Sequence, residues 1–183
     1  MNPCRDFFCA HLNDANKVDA LIQEPDRIAW ESVPASEYSP EPVGNDEVLC
    51  RQLVQPIHFQ DDGSIDPAAF DDVMNKGLST DRLKYRDLAE SQIEGIARAE
   101  RHNTEFPMKP RRELVAFAQF NAGDIRDVTP MNSNHRALAV YDTALPDNPA
   151  HADICFIAEK TKENKRSIRS KLCDVAKRQG LTS

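Results

Sequence analysis

Residues 47 to 82 read EVLCRQLVQPIHFQDDGSIDPAAFDDVMNKGLSTDR. Val48 to Ile57 predicts a strand, with Val48, Cys50 and the Leu53-Val54 pair around Arg51. Pro56 places its far end at a sheet edge, because proline cannot donate to a strand ladder. Asp61-Asp62-Gly63-Ser64 then predicts a turn. Asp66-Pro67 predicts the N-cap and first-turn proline of a short helix through Met74, and Gly77 its stop. Strand, turn and helix in close succession point to an α+β fold.

The same periodicities extend outward from this stretch. Residues 3 to 24 predict a helix, with Phe7, Phe8, Leu12, Val18, Leu21 and Ile22 spaced three and four apart, closed by Pro25. Pro34, Pro40 and Pro42 among Ser and Glu predict an extended arm laid over the surface. Thr80 to Arg101 carries a broken helical stripe of Leu83, Leu88, Ile93, Ile96 and Ala97. Leu114 to Phe120 is the most strand-like run, and shorter strands are predicted at Val128, Leu138–Tyr141 and Ile154–Ala158. Turns are expected at 121–124 and 131–134. From Thr161 onward, Ile168, Leu172 and Val175 form the stripe of a basic amphipathic helix.

The expected architecture is a single small domain with a short mixed or antiparallel sheet. Residues 1–46 form an acidic N-terminal helix and proline-rich arm. Residues 47–183 form the α+β core, ending in the basic helix.

The chain has 183 residues and a net charge of -7, distributed unevenly. Residues 1–48 carry -7 and residues 159–178 carry +5. An acidic chain is a poor general binder of nucleic acid, since phosphate contact depends on clustered Lys and Arg. Only the C-terminal basic helix, through Lys165, Arg166 and Arg169, could make such contacts. No aromatic residue interleaves those bases, which argues against stacking on single strands.

The five cysteines, Cys4, Cys9, Cys50, Cys155 and Cys173, are scattered and odd in number. The first residues hold no long apolar run, so neither a signal peptide nor a membrane anchor is expected. A cytoplasmic protein with reduced cysteines follows.

Histidines supply the titratable chemistry. His58 stands near Asp61 and Asp62, His135 follows Asn134, and His151 precedes Asp153 by two residues. All three lie in polar segments and are the candidates for general acid–base work. Cys4, Cys9 and His11 lack the four-ligand spacing of a zinc site, so no metal is expected. With six glycines in the chain, neither a nucleophile elbow nor a phosphate-cradling loop can be found.

Arg51 on an early strand, Ser79-Thr80 at a segment end and Glu113 before Leu114-Val115-Ala116-Phe117 form an ordered series. It resembles the Arg, Ser-Thr-Ser and Glu series of ADP-ribosyltransferases over residues 47 to 128. The resemblance implies that Arg51, Ser79 and Thr80 hold a nicotinamide dinucleotide and that Glu113 stabilises the transferring ribose. Two positions depart from the family pattern: Asp81 replaces the third Ser, and Arg111 replaces the first of the paired acids.

Outside that resemblance nothing calls for a cofactor. Asp153 joins Arg51, Ser79 and Thr80 as a candidate binding residue. The primary expectation is a regulatory binding protein within a larger assembly, with a protein partner and no membrane. An enzyme acting on a nucleotide-containing substrate and a nucleic-acid-associated regulator are the alternatives.

Overall fold

The computed structural model describes residues 2–130 and 134–181, and the sequence turn expected at 131–134 falls largely outside them. Six strands form one antiparallel sheet in the order β4-β5-β2-β1-β3-β6. They are β1 (Val48–Gln55), β2 (Leu78–Arg82), β3 (Glu113–Asn121), β4 (Leu138–Tyr141), β5 (His151–Phe156) and β6 (Lys177–Gly180). The helices are α1 (Pro3–Ala10), α2 (Lys17–Gln23), α3 (Leu88–Glu105), α4 (Ala122–Arg126) and α5 (Lys162–Val175), with 3-10 segments at Ala29–Ser32 and Pro67–Met74. The α+β expectation holds, with the sheet entirely antiparallel.

The expected N-terminal helix over 3–24 is two helices. Asp14 accepts hydrogen bonds from the Asn16 amide at 2.8 Å and from His11 Nδ1 at 2.9 Å, a local arrangement that competes with continuing the helix. The proline arm does lie over the surface, but it is held there. Ala35 and Val43 are buried, and Ser39 Oγ donates to the Asp142 carbonyl.

Thr80 to Arg101 is not one helix. Residues 78–82 extend as β2 against β5, and the helix begins only after Asp87, which forms a reciprocal capping box with Glu90. Residues 121–124 start α4 instead of making a turn, with Asn121 capping the Gly123 and Asp124 amides. Val128 lies in no strand. Pro67–Met74 matches its expectation: Asp66 caps the Ala68 amide, and Gly77 (φ +88°) reverses the chain afterwards.

β1 is an interior strand, yet only Leu49 and Cys50 pair with β2, so its second half is laddered on the β3 side alone. α3 packs over β1 and β3, where Cys50, Leu114 and Phe117 form a small second core. Gly95 lets this helix approach closely: a Cβ there would lie 2.9 Å from Leu114 Cδ2 and 3.0 Å from Gln52 Cδ.

The main core joins Leu49, Leu53, Phe70, Phe120, Ile154 and Phe156 to Phe8, Leu21 and Trp30 from the N-terminal segment, and to Ile168 and Leu172 of α5. No helix among the described residues is long and apolar enough to cross a membrane.

Candidate functional site

Antiparallel pairing of β2 with β5 sets Ser79 opposite Asp153 and Asp81 opposite His151. Directly paired residues share a sheet face, so four polar side chains gather there. Asp153 is 3 % exposed and its carboxylate is the hub. Lys17 Nζ donates to Oδ2 at 2.6 Å, Ser79 Oγ donates to Oδ1 at 3.4 Å, and His151 Nε2 lies 3.8 Å from Oδ1. His151 Nδ1 lies 3.0 Å from the Thr143 carbonyl, which can only accept, so that nitrogen carries a proton.

Burial alone would raise the Asp153 carboxyl. Lys17 and His151 beside it hold it below the usual aspartate range instead. Burial works against the Lys17 ammonium too, and Asp153 holds that group above its ordinary value. The two form a sealed ion pair, with side chains 6 % and 4 % exposed. Burial pushes the adjacent Cys155 thiol upward, so it is no ready nucleophile.

Arg51 reaches the same corner by its backbone neighbour. Its Nη1 donates to the Ser79 carbonyl at 3.1 Å, and Nη2 sits 3.5 Å from Asp72. Thr80 is on the other face of β2 and donates to the Ala152 carbonyl at 2.9 Å. Glu113 is exposed and pairs with Gln55, four β1 positions beyond Arg51, or roughly 13 Å along the strand. The ordered series is thus assembled only in its Arg51–Ser79 part.

His58 lies past the end of β1, its Nδ1 accepting the Val54 amide at 3.0 Å. Burial, then the Arg51 and Arg112 cations, push its imidazole down to about 4. His135 is exposed ahead of β4. Of the three histidines, only His151 meets the Ser79–Asp153 pair.

Chemically, this arrangement is an anchoring network. Ser79 meets a carboxylate already engaged by an ammonium. Among the described residues no three potential metal ligands lie together. Cys4 is buried with Sγ 3.7 Å from the Trp30 carbonyl, Cys9 is exposed, and His11 pairs with Asp14.

Two further buried charge centres escaped the sequence reading. Arg82 is fully buried and grips Glu47 with both Nε (2.8 Å) and Nη2 (2.7 Å), while Nη1 donates to the Glu41 carbonyl at 2.7 Å and lies 3.0 Å from Asp142. The Asp142 contact is an ion pair without hydrogen-bond alignment, and burial raises that carboxyl although Arg82 opposes it. Glu31 accepts from Arg126 (3.0 Å) and from the Val140 amide (2.6 Å), and forms an ion pair with Arg136 at 2.6 Å. Arg82 carried no local sequence signal, because the strand that buries it is set by its ladder to β5.

On α5, Ile168 and Leu172 are buried. Arg169 pairs with Asp71 at 2.6 Å and Lys171 donates to the Thr129 carbonyl at 2.7 Å. Just before the helix, Lys160 pairs with Asp19 at 2.6 Å. Lys162, Lys165 and Arg166 take part in no ion pair among the described residues. Two shallow depressions border this helix, one lined by Lys162, Glu163, Arg166, Ser170, Lys171 and Asp174, the other lying between it and Asp124, Asp127 and Thr129.

Comparison with protein-family models, with curated proteins and with solved structures finds no match to this chain.

Proposed function

We propose that this protein is a binding component of a larger assembly, docking the outer face of α5 onto an acidic surface of a protein partner. The observation that carries this reading is the division of the helix's cations. Arg169 and Lys171 are spent on the protein's own Asp71 and Thr129, whereas Lys162 and Arg166 are exposed, Lys165 is half-buried, and none of the three has an ion-pair partner among the described residues. Unpaired cations beside a shallow groove favour an acidic partner and speed the encounter. Five unbridged cysteines support a reducing, cytoplasmic setting for it.

The enzymatic alternative would use Ser79, His151 and Asp153, with Arg51 placing a nucleotide. The sealed Lys17–Asp153 pair and the distance to Glu113 weigh against it. The nucleic-acid alternative would use the same three cations of α5, and the net charge of -7 weighs against that.

The combined charge reversal Lys162→Glu, Lys165→Glu and Arg166→Glu tests all three. In extracts of the native host, wild-type protein and the Ser79→Ala/His151→Gln variant should migrate in a complex larger than the free chain. The charge-reversed protein should not. A complex unaffected by charge reversal would overturn the reading. Titration of labelled oligonucleotides settles the nucleic-acid alternative: binding that weakens steeply with salt and disappears on charge reversal would replace the protein partner.

A further inference from the structure

The segment that joins α3 to β3 reads Phe106-Pro107-Met108-Lys109-Pro110-Arg111-Arg112. Two sets of hydrogen bonds fix its shape. The Lys109 amide donates to the Phe106 carbonyl at 3.0 Å, closing a tight turn with Pro107 at its second position. At the base, Asn103 Nδ2 donates to the Arg112 carbonyl at 2.9 Å, and Asn103 Oδ1 accepts the Arg112 amide at 2.7 Å. Met108 lies in the turn and is 96 % exposed, more than any other large apolar side chain among the described residues. Phe106, 37 % exposed, is held between the His102 ring, 4.9 Å away, and Lys109 Nζ, 4.2 Å from its centroid. Gln55 pairs with Glu113, so β1 leaves the sheet at this same end, where Ile57 follows with 46 % exposure.

Within residues 106–112 the charge has one sign. Lys109, Arg111 and Arg112 form no ion pair among the described residues, and the loop holds no acid. Lys109 and Arg111 are exposed, whereas Arg112 is half-buried and its cation acts on His58. Glu105 and Glu113 stand at the two feet of the loop, and Glu100 lies further back on α3. Against these three acids, residues 98–113 set five cations, Arg98, Arg101, Lys109, Arg111 and Arg112, for a net +2. At physiological salt, exposed charges more than about 8 Å away are largely screened, so this local balance outweighs the acidic surplus of the whole chain.

We infer that this loop is a contact for an anionic bilayer surface, with Met108 and Phe106 entering the boundary between headgroups and acyl chains and Lys109 and Arg111 on lipid phosphates. An almost fully exposed apolar side chain on a projecting turn favours a fluid surface: a protein partner would need a pocket shaped for Met108, whereas headgroups part around it and bring anions to the flanking cations. Pro107 and Pro110 limit the entropy lost on insertion. Contact of this kind needs no spanning helix, and with one short loop it is weak and reversible. It uses a different surface from the α5 reading and stands or falls separately from it.

The test sediments the purified full chain with phosphatidylserine-rich vesicles and with pure phosphatidylcholine vesicles. Wild type should bind the first, less as salt rises, and the second far more weakly. Met108→Asp and Lys109→Glu/Arg111→Glu should each lower binding at least about tenfold, with the unfolding temperature unchanged and Met108→Leu close to wild type. In a Cys9→Ser background, an environment-sensitive dye on Met108→Cys should shift blue when anionic vesicles are added. The same dye on Asp46→Cys, ahead of the other end of β1, should not. A wild-type chain that ignores anionic vesicles, or binding that survives the loop substitutions, would overturn the proposal. If wild type ignores vesicles and the loop variants lose the complex in host extracts, the loop belongs to a protein partner instead. The vesicle assay contains no other protein, so its outcome leaves the α5 charge-reversal result unaffected.

Discussion

His58 makes the stability of this protein depend on acid in a way whose size can be worked out. Its Nδ1 accepts the Val54 amide, so the neutral ring carries its proton on Nε2. A second proton would have to enter at Nδ1, facing an N–H and forfeiting that bond. Burial and the nearby Arg51 and Arg112 cations add to the cost, and the imidazole is pushed down from 6.5 to about 4. The folded state therefore resists protonation that the unfolded chain accepts. Stability from this residue is fully present above the unfolded value and is lost as pH falls toward the folded one.

The full loss is about 3 kcal/mol below about pH 4, and about 2 kcal/mol is already gone near pH 5. Other groups titrate in this range, so the informative quantity is a difference between proteins. Urea unfolding at about pH 8 and about pH 5 should be compared for wild type and His58→Asn, whose amide oxygen can accept the Val54 N–H but does not titrate. Wild type should lose about 2 kcal/mol more than the variant over that interval. Equal losses, or an NMR titration midpoint for His58 near its ordinary value, would refute the reasoning.

The other buried charges give sharper but less pH-dependent outcomes. Arg82→Leu strands Glu47 and Asp142 in the core and releases the proline arm, so chemical denaturation should show a loss of about 3–5 kcal/mol. A loss below about 1 kcal/mol would mean that the Arg82 centre is solvated and dispensable. Lys17→Met alone should destabilise by a similar amount, whereas Lys17→Met/Asp153→Leu should recover most of it, because no lone charge remains buried. Gly95→Ala should lower the melting temperature although alanine favours helices, since the new Cβ meets Leu114 and Gln52; an increase would show that α3 can lift away freely.

Much of the fold was legible where one signal dominated locally. Asp66-Pro67 and Gly77 marked a short helix correctly because cap, first-turn proline and positive-φ glycine act within a few residues. β3 and β4 were legible from their apolar runs. β2 was not, since Leu78-Ser79-Thr80-Asp81-Arg82 carries its polar residues inward and gains its stability from the β5 ladder, a contact more than 70 residues away. The capping box at Asp87 and Glu90 was the available sign that the helix starts later. β6 was hidden because Lys177 to Gly180 is an exposed, charged edge strand, and charges of that kind keep an open edge from pairing with other chains.

The site divides along the same line. Ser79, His151 and Asp153 came together because two strands happen to be neighbours, while Lys17, which neutralises them, arrives from a helix 136 residues away from Asp153. Composition along the chain could flag His151 and Asp153 as reactive but could not reveal the ammonium that quiets them. The α5 cations were visible from the start. Packing then divided them into those the protein uses itself and those it leaves without an ion pair among the described residues. The buried Ile168 and Leu172, together with β6, also make point charges on α5 a cleaner probe than deleting residues 160 to 183, since deletion would remove part of the core.

The central claim is that Lys162, Lys165 and Arg166 face a protein partner. Lysine-directed cross-linking in intact host cells, read by mass spectrometry, addresses it at those side chains. The account predicts that Lys162 and Lys165 cross-link to another protein next to an acidic stretch, and that these links vanish on Arg166→Glu. Links from Lys162 and Lys165 confined to this chain's own lysines, with intermolecular links arising elsewhere on the surface, would contradict it.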